Sequence, residues 1–340
     1  MTTTDTRPGL VGALRSSGSW IARYAFLAAF AALFVFFSVQ ATSFLSGSNL
    51  LNALQGSMIL LLIALALTLV ISSGGIDLSA GTALDFGAWF AIAAMATYGL
   101  PWPLAVLCAL AGGALVGSVN AFLIVTLGVT PFLATLGTFF IGRSLQQIGT
   151  GGGANINYRD APEGFRALTS GSTLFIPNEV LLVGIVLVVF YLYLQRSKHG
   201  VRIEAMGLQD SAARTAGLRT RRYRAGIYIA AGVTCAVAGI LLSSGLRIYT
   251  PMAGFSYLLD GIAAVFIGAS MHPRARPNVL GTLAGVLFLS MLNNGLDLLG
   301  LDFNAKAALR GLVLLVALTL AFLIAKQARR TTAVRAAAIG

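Results

Sequence analysis

Few side chains in this sequence are equipped for chemistry, and most of those stand where apolar runs are interrupted. The sharpest interruption is Gly74-Gly75-Ile76-Asp77-Leu78-Ser79-Ala80-Gly81. The glycine pair frees the backbone, and an Asp before a new helix accepts hydrogen bonds from its first N–H groups, so Asp77 reads as an N-cap with Ser79 beside it. Two geometries fit: a break at membrane depth that lines a polar path, or a tight turn at the membrane surface. Thr130-Pro131 starts another helix cleanly, with Thr130 as cap and proline at the first helical position. Beyond it, Thr135 and Thr138 share one face, with Phe132 a turn before. Their hydroxyls suit a polar path or bonds to their own backbone. Asn120, Asn293 and Asn294 place amides inside apolar stretches, and Asp85, Asp260 and Arg310 are the main charges left there. Each such charge is costly in hydrocarbon and is a functional candidate by default.

Several chemistries are excluded. None of the three lysines, Lys198, Lys306 and Lys326, follows a glycine, so the phosphate-cradling G-x-x-x-x-G-K-[ST] loop is absent. Any ATP used is hydrolysed on another chain. No metal-ligand spacing and no nucleophile beside a histidine is present, which argues against an enzyme. No apolar run carries the Asp, Glu and His series of a proton relay, and His199 and His272 both fall in basic loops. That weighs against an ion- or proton-coupled carrier acting alone, which stays the alternative reading. Cys108 and Cys235 lie inside apolar runs and read as small hydrophobes.

The elements that must position these residues are membrane helices. Of 340 residues 57% are hydrophobic and 10% charged, against about 25% charged in soluble domains, and the mean hydropathy is +0.85. A net charge of +12 would suit a nucleic-acid partner, but the basic residues crowd into short segments between apolar runs. The positive-inside rule produces that pattern and excludes the nucleic-acid reading. With about 20 residues per crossing, spans are expected at 20–40, 54–72, 78–97, 102–127, 131–147, 179–195, 223–247, 257–270, 279–298 and 305–325. The first is read as an uncleaved helix. The fold class is therefore an all-α polytopic bundle of about ten helices in a lipid bilayer. An even count puts both termini, the loop 196–224, the turn after Ser270 and the basic tail on the cytoplasmic side. The expected domains are a cytoplasmic segment 1–19, a transmembrane body 20–325 and a basic tail 326–340.

Within the loop 196–224, Asp210 followed by Ser-Ala-Ala-Arg-Thr-Ala and closed by Gly217 predicts a two-turn helix with a glycine stop. It could dock into another protein or merely fix topology. There is also a faint internal echo. Gly113-x-x-x-Gly117 precedes Asn120, as Gly281-x-x-x-Gly285 precedes Asn293 and Asn294. Small residues four apart let helices approach closely in lipid, with or without an ancestral duplication.

Four stretches in order carry a resemblance: Gly-Gly-Ile-Asp-Leu-Ser at 74–79, Pro-Phe-Leu-Ala-Thr-Leu-Gly-Thr at 131–138, the segment 205–218, and Leu-Asn-Asn-Gly-Leu-Asp-Leu-Leu-Gly at 292–300. Together they resemble the ribose-type permease subunits of ABC importers, in the broader class that includes branched-chain amino-acid permeases, over about residues 50–325. The resemblance implies a multi-pass subunit of a bacterial inner membrane. It would pair with a second copy or a paralogue and be served by an ABC ATPase and an extracytoplasmic solute-binding protein. ATP and Mg would sit on the ATPase, and this chain would bind no cofactor or metal. The segment 205–218 matches the family's coupling segment, which implies ATPase contact through Ala205, Gly207, Asp210, Ala212, Ala213 and Gly217. Asp77, Ser79, Asn120, Phe132, Thr135, Thr138, Asp260, Asn293 and Asn294 are the candidates for the translocation path. The implied cargo is a monosaccharide or similar small polar solute, moved inward by alternating access. The chain departs from the family pattern at Gly207-Leu208-Gln209-Asp210, at Leu258 before Leu259-Asp260, and at 271–278, where Met-His-Pro-Arg-Ala-Arg-Pro-Asn replaces a glycine-rich turn.

Overall fold

The computed structural model describes residues 26–272, 274–302, 304–309, 311–312, 315–316 and 319. Its helices are α1 (described over Phe26–Gln40), α2 (Gly47–Ser72), α3 (Ala80–Ala96), α4 (Trp102–Ala121), α5 (Pro131–Gly149), α6 (Glu163–Ser170), α7 (Asn178–Tyr191), α8 (Lys198–Leu208), α9 (Asp210–Thr215), α10 (Thr220–Leu246), α11 (Gly254–Ser270) and α12 (Val279–Leu298). Single π-helical turns at Phe122–Thr126 and Leu192–Arg196 extend α4 and α7. Among the described residues, α2, α10, α12 and the extended α4 and α7 are long and apolar enough to cross a membrane; α1, α3 and α11 are shorter apolar helices. Helix α5 falls outside both groups, its last turns carrying Arg143, Gln146 and Gln147. The expected tenth span, 305–325, is helical at its described residues, 305–309, 311–312, 315–316 and 319; the rest of it lies outside the described residues, as do Arg310, the segment 1–19 and the tail 326–340.

Helix α2 is apolar all round and buried on every side from Ser57 to Val70, as a central helix must be. Its most apolar stretch is 78% buried, whereas that of α7 is 11% buried, which places α7 on the perimeter. Helix α10 packs on α2, α3 and α4, while α11 and α12 close the other side of α2. These contacts depend on glycine. A Cβ on Gly113 would meet the Gly232 carbonyl oxygen at 2.3 Å and one on Gly117 the Tyr228 oxygen at 2.4 Å, joining α4 to α10. A Cβ on Gly281 would meet the Gly268 oxygen at 2.5 Å and one on Gly285 the Ala264 oxygen at 2.1 Å, joining α12 to α11. Both small-residue faces noted in the sequence therefore seat backbone on backbone.

Two loops hold more structure than the sequence pattern suggests. In the segment expected as a long loop between α5 and α7, β1 (Ile156–Asn157) pairs antiparallel with β4 (Ile248–Tyr249), α6 packs on α10, and β2 (Ser172–Thr173) pairs with β3 (Ile176–Pro177). The expected all-α architecture thus carries two small sheets. The basic loop 196–224 folds into two helices, α8 and α9. Helix α9 stops as its sequence predicts: Gly217 has φ +82°, and the N–H groups of Gly217 and Leu218 return to the carbonyls of Arg214 and Ala213.

Leucine at Gly232 should cost about 3 kcal/mol or more, the upper end of overpacking costs, because a side chain there meets the Gly113 carbonyl at 2.2 Å. Leucine at Gly226, where a Cβ meets nothing within 4 Å, should cost less than about 1 kcal/mol. Thermal unfolding of the two delipidated variants in detergent checks this, and equal losses would contradict the packing.

Candidate functional site

Between α2 and α3 the chain is not helical. Helix α2 ends at Ser72 and α3 begins only at Ala80, where Gly81 already lies against Gly254 at the start of α11. Its residues alternate: Ser73, Gly75, Asp77 and Ser79 are buried, whereas Gly74 and Ile76 are exposed. One side of the segment is therefore packed into the bundle, and it is not a freely solvated turn. Both glycines are required. Gly74 has φ +80° and its Cβ position lies 3.2 Å from Gly207 Cα; a Cβ on Gly75 would meet the Tyr228 hydroxyl at 2.6 Å.

Asp77 serves the start of α3 without holding the N-cap position itself, its carboxylate facing the backbone N–H groups of Ser79 and Ala80. The N-cap is Ser79, and Asp77 Oδ1 accepts from the Ser79 N–H at 2.8 Å and the Ser79 hydroxyl at 2.7 Å. Asn120 Nδ2 on α4 donates to Ser79 Oγ at 2.6 Å, so Asn120, Ser79 and Asp77 form one chain of hydrogen bonds. Asn120 Oδ1 is the one buried side-chain polar atom left without a partner among the described residues. The Ile76 carbonyl accepts from the Tyr228 hydroxyl at 3.3 Å. The Thr135 hydroxyl lies 3.4 Å from the same oxygen, with its shorter bond, 2.9 Å, to Pro131 O. Thr138 returns its hydroxyl to the Ala134 carbonyl at 3.1 Å, and Phe132 is half exposed. The two threonines are therefore buried and bonded chiefly to their own helix.

The other path candidates lie elsewhere. Asp260, Asn293 and Asn294 line a cavity of about 370 Å³ between α2, α11 and α12, with Asn52, Ser290 and Asp297 in the same walls. Asn294 exchanges two hydrogen bonds with Asn49, of 3.0 and 2.9 Å. Lys306 is ion-paired with Asp297 at one edge. Asp85, suspected as a lone intramembrane charge, is tied down: its Oδ1 accepts the Gly254 N–H at 2.8 Å and so caps α11 from a neighbouring helix. Gln146 does similar work, its Oε1 accepting from the Tyr249 hydroxyl at 3.0 Å and the Met252 N–H at 2.8 Å. Sequence reasoning missed Gln146 and Tyr228. A glutamine late in an apolar helix was a usable signal, but a tyrosine in one was not.

On the basic face, the segment 205–218 splits into parts. Gly207 on α8 abuts the break, since a Cβ there would meet the Ser72 carbonyl at 2.2 Å. Ala205 is half-buried. Asp210 pairs with Arg214 at 2.5 Å and Arg224 at 3.1 Å, pinning α9 to the start of α10. Ala213 is buried under α9, while Ala212 and Gly217 face outward. Beside them the turn 271–278 is held to α8 by an Arg276–Glu204 ion pair. Burial, and then the Arg274 guanidinium, push the His272 imidazole below its ordinary pKa, which keeps it neutral near pH 7.

Residues 49–318 match the family model of the branched-chain amino acid transport system permease component. The chain is 36% identical over 292 residues to the ribose import permease protein of Bacillus subtilis, covering 85% of this chain and 89% of that one. It is 31% identical to the ribose import permease protein of Escherichia coli K12, covering 88% and 93%. It is also 34% identical to the galactofuranose transporter permease protein of the same organism, covering 76% and 74%. No solved structure matches the chain. The chain belongs to this permease family and is a multi-pass membrane protein.

Alanine at Ser79 removes the hydroxyl between Asp77 and Asn120 and should cost about 1–3 kcal/mol, the penalty for stranding buried polar partners. Valine at Thr138, whose hydroxyl serves only its own helix, should cost less than about 1 kcal/mol. Thermal unfolding in one detergent compares them, and a reversed order would show that the buried chain is not a structural tie.

Proposed function

We propose that this chain is the transmembrane permease subunit of an ABC importer that carries a monosaccharide or similar small polar solute inward by alternating access. It would sit in a bacterial inner membrane with about ten crossings and both termini cytoplasmic. A second permease copy or paralogue would complete the pore. An extracytoplasmic binding protein would deliver solute, and ATP and Mg would act on a separate ATPase. The body 20–325 would do the transport, flanked by the segment 1–19 and the tail 326–340. The relatives' sugar cargoes and the polar cavity of α2, α11 and α12 support the solute class.

One observation carries the mechanism: Gly207 lies backbone to backbone against Ser72 and Gly74. A shift of α8 and α9, driven from an ATPase on the basic face, therefore meets the unwound segment that carries Asp77 and Ser79 without an intervening side chain. Ala212 and Gly217 would supply exposed contact surface, and Ala205, Asp210 and Ala213 would hold its shape. Such a switch needs an element with two arrangements, and a segment freed from helical hydrogen bonding is the natural one. The self-sufficient carrier reading gains nothing from Asp85, which is engaged in capping α11.

Deleting 210–216 should abolish recovery of the ATPase with the tagged chain from native membranes while leaving membrane insertion intact. Leucine at Gly207 should instead keep the ATPase bound and reduce solute uptake to background, because the contact with Ser72 is forced open. Copurification assayed beside radiolabelled uptake separates the two. Normal ATPase recovery without 210–216 would count against the importer reading.

A further inference from the structure

A groove on the perimeter of the bundle belongs neither to the unwound segment nor to the polar cavity. It lies between α2, the end of α7 with its π-helical turn, and α10, and holds about 480 Å³. Its walls are carbon, supplied by Leu69, Val189, Phe190, Ile227 and Ala230, and it ends at Thr234. Gly226 leaves its floor bare, for a Cβ there meets nothing within 4 Å. The groove opens beside α7, the least buried of the long apolar helices among the described residues, whose Ile185, Val188 and Val189 are exposed.

The mouth has the opposite character. Arg222, His199, Tyr193 and Tyr223 line it, and no carboxylate does. Tyr223 is fixed there by Arg202, which donates to its hydroxyl at 2.8 Å, and by His199 Nδ1 at 2.9 Å; the His199 ring stacks on Tyr193. Among the described residues Arg222 has no ion-pair partner, whereas its neighbour Arg224 is taken by Asp210. Length decides what such a groove holds. From Arg222 to Thr234, α10 rises about 18 Å at about 1.5 Å per residue, close to one leaflet of a hydrocarbon core about 30 Å thick.

We propose that this groove is a binding site for an anionic phospholipid, with one acyl chain lying along Gly226 to Thr234 and the phosphate held at Arg222 and Tyr223. A cationic mouth on an apolar slot one leaflet deep matches a lipid at both ends. A soluble sugar would find almost no polar partner along the slot. A transmembrane helix from a second chain would need a groove spanning both leaflets. Basic pockets between membrane helices on the cytoplasmic side are where anionic headgroups gather, and the lipid would brace α7 against α10 next to α8. The site is independent of the cargo and of the ATPase.

The test uses the full chain in mild detergent, with dioleoylphosphatidylglycerol, dioleoylphosphatidylcholine and inorganic phosphate as separate additions. Native mass spectrometry and the thermal midpoint are the readouts. The proposal expects one retained phosphatidylglycerol per chain and a raised midpoint, with little effect from phosphatidylcholine or phosphate. Arg222→Gln should weaken phosphatidylglycerol about fivefold, equivalent to about 1 kcal/mol for one basic residue at a membrane surface. Gly226→Leu should abolish retention while leaving the lipid-free midpoint unchanged. Equal retention of the two lipids, a full shift with phosphate alone, or wild-type lipid binding in both variants would overturn it. So would a cross-link showing that a second protein chain fills the groove in native membranes.

Discussion

A buried peptide group needs a hydrogen-bond partner, and the half-buried stretch between Ser72 and Ala80 is where this chain meets that constraint outside a helix. Each device around the break answers it. The N–H groups of Ser73, Gly74 and Gly75 turn back to carbonyls of Val70 and Ile71. The Ile76 carbonyl receives Tyr228 from α10, and the Asp77 carboxylate receives the Ser79 N–H. The tyrosine, the carboxylate and the asparagine behind it come from three elements, so the break exists only while α4 and α10 stay against it. The unpartnered Asn120 Oδ1 is the one place among the described side chains where that accounting does not close. An imperfectly satisfied polar group at a non-helical segment is the kind of local strain that lowers the cost of rearrangement.

The same constraint explains the glycines. Apolar side chains gain nothing by leaving lipid for one another, so helices in a membrane associate through close packing. Gly113, Gly117 and Gly232 bring α4 and α10 into backbone contact, and Gly268, Gly281 and Gly285 do so for α11 and α12. That closeness lets a short side chain such as Ser79 be reached by Asn120 across a helix boundary. It also makes Gly207 effective, since a glycine can touch the carbonyl of Ser72 directly where any larger residue would stand off from it.

Much of this was legible in the sequence, for identifiable reasons. Helix positions followed from apolar run length, and the stop of α9 followed from Gly217, because both are local. The unwound segment was foreseen only as one of two geometries. A Gly-Gly-x-Asp run specifies a break but not its depth, which depends on Tyr228 and Gly207 far along the chain. Asp77 lies two residues ahead of the N-cap position, which Ser79 holds without a side-chain capping bond, and its carboxylate serves the Ser79 N–H from there. The path candidates separated into two groups for the same reason. Asn120 and Asn294 look alike in sequence, yet one meets Ser79 and the other Asn49. The small sheets were invisible, since two-residue strands leave no periodicity. Asp85 shows what the sequence could not foresee: an intramembrane charge, a functional candidate by default, accepts the N–H at the start of a helix far along the chain.

Under the importer reading, one helix links the two groups. Helix α2 runs unbroken through 26 residues, about 39 Å at about 1.5 Å per residue. One end meets Gly207 of α8, and the other contributes Asn52 and Gly56 to the polar cavity. A rod without proline, buried on all sides over its middle turns, tilts or translates more readily than it bends. A displacement imposed at Ser72 would therefore reach the cavity as a movement of its α2 wall against α11 and α12. The contacts it would shift are short and polar, among them the Asn49–Asn294 pair at the cavity and, one turn from Ser72, Thr68 to Thr282 at 2.6 Å. Hydrogen bonds exchange partners at less cost than interlocked apolar side chains separate. A wall built from amides and hydroxyls can thus offer alternative seats to the same helix and to a polyhydroxylated solute.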